Sequence, residues 1–392
     1  MNELLWSICV LSLTILILGF ILKHFSQPYL IAYIVAGVLL GPDLIGIFSD
    51  TKEIELVGEL GILLLMFFLG LEINIPNKRY LIIKPLIAQS MKVLLGFAFA
   101  FLIGFYLNLD FKSITLIAIL FFFNSTAVVT EFLKKYQIFN TAFGSTIFNI
   151  LLLQDVLLAP VLTLLNIWGG GKPFSVAQII LPLVGCIAII LLFKTIRNVQ
   201  EIRLPRFLNK IADDHDLQLF TGLLICLGFG LLADAVGLSS ALGSFIAGVL
   251  VGRLRGFAWL EHTLSSFKVF FVALFFVSIG LRLDLSYFLS HSEIILAGTF
   301  FVLISNSLIS ALVFRFLKFG KKNSWYGGAL LSQTGEFGIL ALAIAYKDHI
   351  IEYELYKAGL AITCLTLLLS TIWIAVLKKL LEKPLPLQLI GK

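Results

Sequence analysis

Charge is what this 392-residue sequence has least of. Only 13% of its residues are Asp, Glu, Lys or Arg, against 59% hydrophobic ones, and the mean hydropathy is +1.03. A soluble domain carries about 25% charge, so the chain reads as a polytopic membrane protein. Cysteine is scarce as well. Cys9, Cys186, Cys226 and Cys364 all sit in apolar stretches without C-x-x-C spacing, as small buried hydrophobes do. His24, His215, His262, His291 and His349 lie in or beside polar loops, whereas a transition-metal path needs His or Cys near the midplane. No nucleophile is paired with a base. Gly169-Gly-Gly-Lys172 lacks the spacing of a phosphate loop and runs into Pro173. Neither an enzyme nor a resident cofactor or transition metal is expected.

Long apolar runs are abundant. Windows able to cross about 30 Å of hydrocarbon fall near 4–22, 29–48, 56–73, 85–107, 113–132, 141–167, 175–194, 217–234, 237–252, 268–283, 294–317, 325–346 and 357–377. That gives thirteen spans and an all-α membrane protein. The first run follows Asn2 and Glu3 with no basic leader or small-residue cleavage site, so it reads as a retained span. With the N-terminus outside, only Lys52, Lys112, Lys172, Arg282, Lys347 and Lys357 fall in outer loops. Lys92 lies within a span, and every other Lys and Arg is inside. This asymmetry predicts an N-terminus outside the cell (inner) membrane and a cytoplasmic C-terminus. It also accounts for the net charge of +6 without a nucleic-acid partner.

From Tyr136 to Gly171 the one charged residue is Asp155. An ionised carboxylate in hydrocarbon costs at least about 2.5–3.5 kcal/mol, so it faces a cavity or a partner. Gln154 precedes it. Pro160 lacks the N–H that would bond the Val156 carbonyl, which predicts a kink one turn on. A structural Asp bonded to a neighbouring helix is the alternative to an ion or proton site.

The chain also repeats itself. Ala36-Gly-Val-Leu-Leu-Gly41 in span two matches Ala247-Gly-Val-Leu-Val-Gly252 in span nine at an offset of 211. Phe67-Phe68-Leu-Gly70-Leu in span three matches Phe275-Phe276-Val-Ser-Ile-Gly280-Leu in span ten. The partners are seven spans apart, so the copies have inverted topology, as in secondary transporters with a site at the repeat interface. The same offset pairs span five with span twelve. Span five carries Asn124-Ser125-Thr126, and span twelve carries Ser332-Gln333-Thr334-Gly335-Glu336. Polar breaks at matching places predict discontinuous helices. Ser125, Thr126 and Thr334 are either ion ligands or menders of broken backbone. Glu336 is either a second ion-facing carboxylate or a balance for half-helix dipoles. Lys92 is expected to snorkel or to pair with a carboxylate.

Taken together, Gly41-Pro42, Glu59-Leu-Gly-Ile-Leu-Leu-Leu-Met-Phe-Phe-Leu-Gly-Leu-Glu72, Asn124-Ser-Thr-Ala127, Gln154-Asp155, Phe275-Phe276-x-Ser278-x-Gly280 and Gln333-Thr-Gly-Glu-Phe337 resemble the monovalent cation:proton antiporter-2 family, Kef-type branch. The resemblance covers nearly the whole chain. It implies a homodimer, with a dimerisation part at 1–80 and 217–290, a linker helix at 175–196, and a transport core at 81–168 and 291–381. The core would hold two crossed broken helices, with the ion-binding aspartate at Asp155. Electrogenic relatives have two adjacent acids where this chain has Gln154-Asp155. The Gln form resembles electroneutral, often potassium-handling members. Many members also carry a lysine in span eleven at the position of Asn306. Kef systems continue into a cytosolic nucleotide-binding domain. This sequence stops at Lys392, so that gate is missing or lies outside it.

The expectation is therefore a secondary transporter in the lipid bilayer. It would exchange K⁺ or Na⁺ for H⁺ one for one at Asp155, with Gln154, Asn124, Ser125, Thr126, Thr334 and Glu336 around it and Asn306, Pro160 and Gly335 as structural neighbours. A gated K⁺ efflux pathway and a transport-inactive sensor are the competing readings.

Overall fold

A computed structural model describes residues 2–25, 27, 29–48, 52–72, 80–139, 141–169, 214–235, 240–252, 257 and 259–382. The linker expected at 175–196 lies outside them. The described residues form α-helices and no strand. In chain order these are α1 Asn2–His24, α2 Tyr29–Leu40, α3 Lys52–Glu72, α4 Tyr80–Leu107, α5 Phe111–Phe122, α6 Thr126–Lys135, α7 Ala142–Gly169 and α8 His215–Ala235. They continue with α9 Ser240–Val251, α10 Trp259–Leu281, α11 Leu285–Ser290, α12 Ser292–Phe316, α13 Lys321–Leu330, α14 Glu336–Lys347 and α15 Tyr353–Glu382. Seven of them (α1, α4, α7, α8, α10, α12 and α15) are long and apolar enough to cross a membrane.

Two expected spans are each split. The run expected at 113–132 is α5 and α6, separated at Phe123-Asn124-Ser125, where Phe123 and Ser125 adopt extended backbone. The run expected at 325–346 is α13 and α14, separated at Leu331–Gly335. Asn, Ser and Thr favour such ends because their side chains bond nearby backbone. Ser125 Oγ accepts from the Val128 N–H and so caps α6. Pro160 sits inside α7, which remains one helix from Ala142 to Gly169.

The chain forms two compact units. The first comprises Met1–Leu18, Ala32–Ile75 and Asp155–Leu283. Within it, α3 packs against α9 and α10. Small residues let backbones meet, as they do wherever apolar helices associate in lipid. A Cβ on Gly37 would strike the Val277 carbonyl and Gly280, and one on Gly280 would strike the Ile34 carbonyl. A Cβ on Gly70 would meet the Phe245 carbonyl and Gly248, and one on Gly248 the Phe67 carbonyl. Around these contacts Leu64, Phe67, Phe68, Cys226, Ala247, Leu260 and Leu264 form one buried cluster.

The second unit comprises Gly19–Ile31, Pro76–Gln154 and Asp284–Lys392. It contains both split helices. Asp110 caps α5 by accepting from the Ser113 and Lys112 N–H groups. Burial pushes the Asp110 carboxyl up, but the Ser113 hydroxyl, these two N–H bonds and the nearby Lys112 charge outweigh it and hold it below its usual range. The boundary between the units passes through α7, between Gln154 and Asp155.

Candidate ion-binding site

The two breaks touch. The Gly335 N–H donates to the Phe123 carbonyl at 3.0 Å. A Cβ on Gly335 would collide with the carbonyl carbon of Asn124 and the nitrogen of Ser125. Gly335 has an extended backbone, so closeness and not a left-handed φ demands glycine here.

Asn124 is the hub. Its backbone N–H donates to Gln154 Oε1 at 3.0 Å. Its Nδ2 donates to the carbonyls of Leu331 (3.1 Å) and Gln333 (2.7 Å). Leu331 is the C-cap of α13, where helix geometry leaves C=O groups without partners, and Gln333 lies in the second break. Asn124 Oδ1 accepts from Gln154 Nε2 at 3.2 Å and from Lys92 Nζ. Gln154 Nε2 also donates to Gln89 Oε1 at 3.1 Å. Asn124, Gln154, Lys92 and Gln89 are all at most 2% exposed.

Lys92 corrects the sequence expectation. It does not snorkel, and its ammonium is seated on the Asn124 amide of the first break. Through that amide its charge reaches the α13 C-terminus, the negative end of a helix dipole. Asn306 is fully buried in α12. Both polar atoms of its amide lack a hydrogen-bond partner. Lys92 and Gln89 reach the site through contacts 32 and 65 residues apart in sequence, which no local pattern encodes.

The remaining residues divide by what their polar atoms already do. Thr334 Oγ1 donates to the Leu120 carbonyl at 3.1 Å, and its N–H donates to Thr366 Oγ1 at 3.3 Å. Its hydroxyl hydrogen thus mends the last turn of α5. Thr126 opens α6, and its carbonyl accepts from Thr130 Oγ1. Glu336 is the first residue of α14, where the helix dipole favours a carboxylate. Ser125 lies beside that carboxylate, and Glu336 Oε2 is buried without a partner. Asp155 is 3% exposed and follows Gln154 on α7. Buried polar atoms without partners are few in folded proteins and signal unseen water or ions. Here they include Gln89 Nε2, Gln333 Nε2, the Asn306 amide and Glu336 Oε2, all in the second unit.

Against this geometry, the sequence profile of the family described as sodium/hydrogen exchanger, transmembrane, matches residues 10–380. The chain belongs to that family. Its relatives place it in the cation:proton antiporter-2, Kef-type branch as a membrane domain. It is 26% identical to K(+) efflux antiporter 5 of Arabidopsis thaliana over 89% of this chain and 62% of that protein. It is 29% identical to K(+) efflux antiporter 4 of the same plant over 87% of this chain and 58% of that protein. The chain therefore spans about three fifths of these relatives' length. Iron transporter MagA of Paramagnetospirillum magneticum is 24% identical over 95% of this chain and 85% of its own length. Among solved structures, the sodium proton antiporter MjNhaP1 of Methanocaldococcus jannaschii has the same fold. The match has a TM-score of 0.68 and 17% identity, and covers 97% of this chain and 100% of that one. The chain is thus a multi-pass membrane protein of the sodium/proton antiporter fold, and its described residues are helical.

Proposed function

We propose that the chain exchanges K⁺ or Na⁺ for H⁺, with Asp155 as the carboxylate both ligands share. A buried carboxylate is costly to leave bare, and either a proton or a partly dehydrated cation neutralises it. Each excludes the other, so one carboxylate couples one cation to one proton. The observation that carries this reading is the contact of two helix breaks held by Asn124 to Gln154, the residue next to Asp155. Unwound backbone at membrane depth is tolerated only where it lines a cavity or is buried in protein. The amide, hydroxyl and carboxylate oxygens available suit a hard cation better than iron. The K⁺ named for the plant relatives favours potassium.

The inverted repeat belongs to the same proposal. In the first unit the Gly37 segment of one half seats on Gly280 of the other, and the Gly248 segment seats on Phe67 and Gly70. Reciprocal seating of matched motifs supports a two-fold relation between halves. Residues 1–80 and 217–290 would serve as the dimerisation part and 81–168 and 291–381, with Asp155, as the transport core, with the N-terminus outside.

Lys92 adds a charge to the one-for-one account. If it keeps its proton through the cycle, only Asp155 counts charge, and exchange leaves the membrane potential unchanged. The test uses proteoliposomes with an internal pH dye and steps of K⁺, Na⁺, Li⁺ or Rb⁺. Asp155→Asn is expected to abolish cation-driven proton flux; undiminished exchange in that variant would overturn the proposal. A clear potential generated by the unaltered protein would overturn the one-for-one part. Cation flux without proton movement would favour the gated-pathway reading.

A further inference from the structure

A cavity of about 550 Å³ lies within the second unit, away from the helix breaks. It forms where the C-terminal ends of α1, α6 and α15 converge. Its wall is apolar: Leu22, Phe25, Phe132, Leu368, Ile372 and Val376. Phe25 and Ile372 are more than half exposed and Val376 is 49% exposed, so the apolar wall is open along these residues. Its rim carries two cations, Lys135 and Lys379, together with Tyr136. Lys378 holds the Tyr136 ring from one face at 3.2 Å. Lys23, His24 and Lys134 extend the basic collar on the same helix ends, and Glu131 and Glu382 are the acids of those turns.

Gln27 lines the cavity and donates from Nε2 to the Leu368 carbonyl at 3.2 Å and to Thr371 Oγ1. These bonds hold the segment after α1 against α15 at the cavity wall. Apolar walls and a cationic rim match two parts of one molecule, an acyl chain and a phosphate.

We propose that this cavity binds a single anionic glycerophospholipid. The acyl chain lies along Leu368, Ile372 and Val376, and the phosphate meets Lys135 and Lys379. Basic pockets between spanning helices recognise anionic headgroups by this chemistry. The lipid joins the end of α6, which leaves the first helix break, to the end of α15.

The experiment measures unfolding of the whole detergent-solubilised chain with added lipid. Dioleoylphosphatidylglycerol is expected to raise the midpoint by about 3 °C over equal dioleoylphosphatidylcholine. The double variant Lys135→Gln/Lys379→Gln should lose that difference, while Lys318→Gln/Lys321→Gln, with the same net charge, should keep it. Ile372→Trp alters no charge and fills the groove, and it should lose the difference as well. Glycerol phosphate at matched concentration should give no rise. A rise equal for both lipids, a rise kept in both Lys135→Gln/Lys379→Gln and Ile372→Trp, or a rise reproduced by glycerol phosphate would each overturn the assignment.

Discussion

The two units solve opposite problems with the same kind of helix. In the first, glycines press helix backbone against helix backbone, and side-chain bonds such as Ser244 Oγ to the Cys226 carbonyl at 2.9 Å tie neighbouring helices. In the second, helices are interrupted, amides bridge the interruptions, and several buried polar atoms are left unanswered. The first arrangement is dense and has one good packing, since interiors packed at crystal density do not deform smoothly. The two units are thus distinguished by how each uses its small residues: glycine for contact in one, and Asn, Ser and Thr for unwinding in the other.

The sharpest way to break this comparison is to put a side chain where the first unit has none. Gly248→Leu drives atoms into the Phe67 backbone and should cost about 3 kcal/mol, read as loss of monodisperse protein after solubilisation. Gly228, where a Cβ meets nothing within 4 Å, is the control. Gly228→Ala should leave yield unchanged or improve it, and equal damage at both sites would dissolve the distinction. Gly335→Ala pushes the two breaks apart. With the fold retained, exchange should fall about 100-fold, the size of a misplacement near 1 Å. A near-normal rate would mean that the contact between breaks is incidental.

Lys92→Met is a smaller lever. Asn124 Oδ1 keeps its bond from Gln154 and loses the ammonium. Exchange should fall about tenfold, the equivalent of one charge-assisted hydrogen bond of about 1.5 kcal/mol. An unchanged rate would reduce Lys92 to a space filler. Asp110→Ala removes the α5 cap and should cost about 1 kcal/mol in denaturant titrations. The folded Asp110 value is lowered, so its contribution is complete above the unfolded carboxylate range and fades as pH falls through the folded value. The variant and the parent should therefore converge in acid.

Much of this was legible in the chain. Asn124-Ser125 and Thr334-Gly335 announced the breaks because polar and glycine residues in an apolar run have few other uses. The apolar windows were less exact. The window at 29–48 ran past the end of α2 at Leu40, where Gly41-Pro42 stops the helix. The window at 268–283 missed the start of α10 at Trp259, because Glu261, His262 and Lys268 dilute the hydropathy while Leu260 and Leu264 are buried. The short helix α11 was read as loop, although Asp284, which accepts from the Tyr287 N–H, is a recognisable cap. The burial of Lys92 was hidden for a different reason: its bond to Asn124 spans 32 residues, and no local pattern encodes it.

The Asn124 amide has a consequence for proton traffic. Its oxygen faces donors on α4 and α7, and its nitrogen faces the carbonyls of Leu331 and Gln333. An amide fixed at both ends can neither accept nor release a proton near neutral pH, unlike a hydroxyl or an imidazole. The Asn124 amide therefore ties the two breaks together without itself relaying a proton.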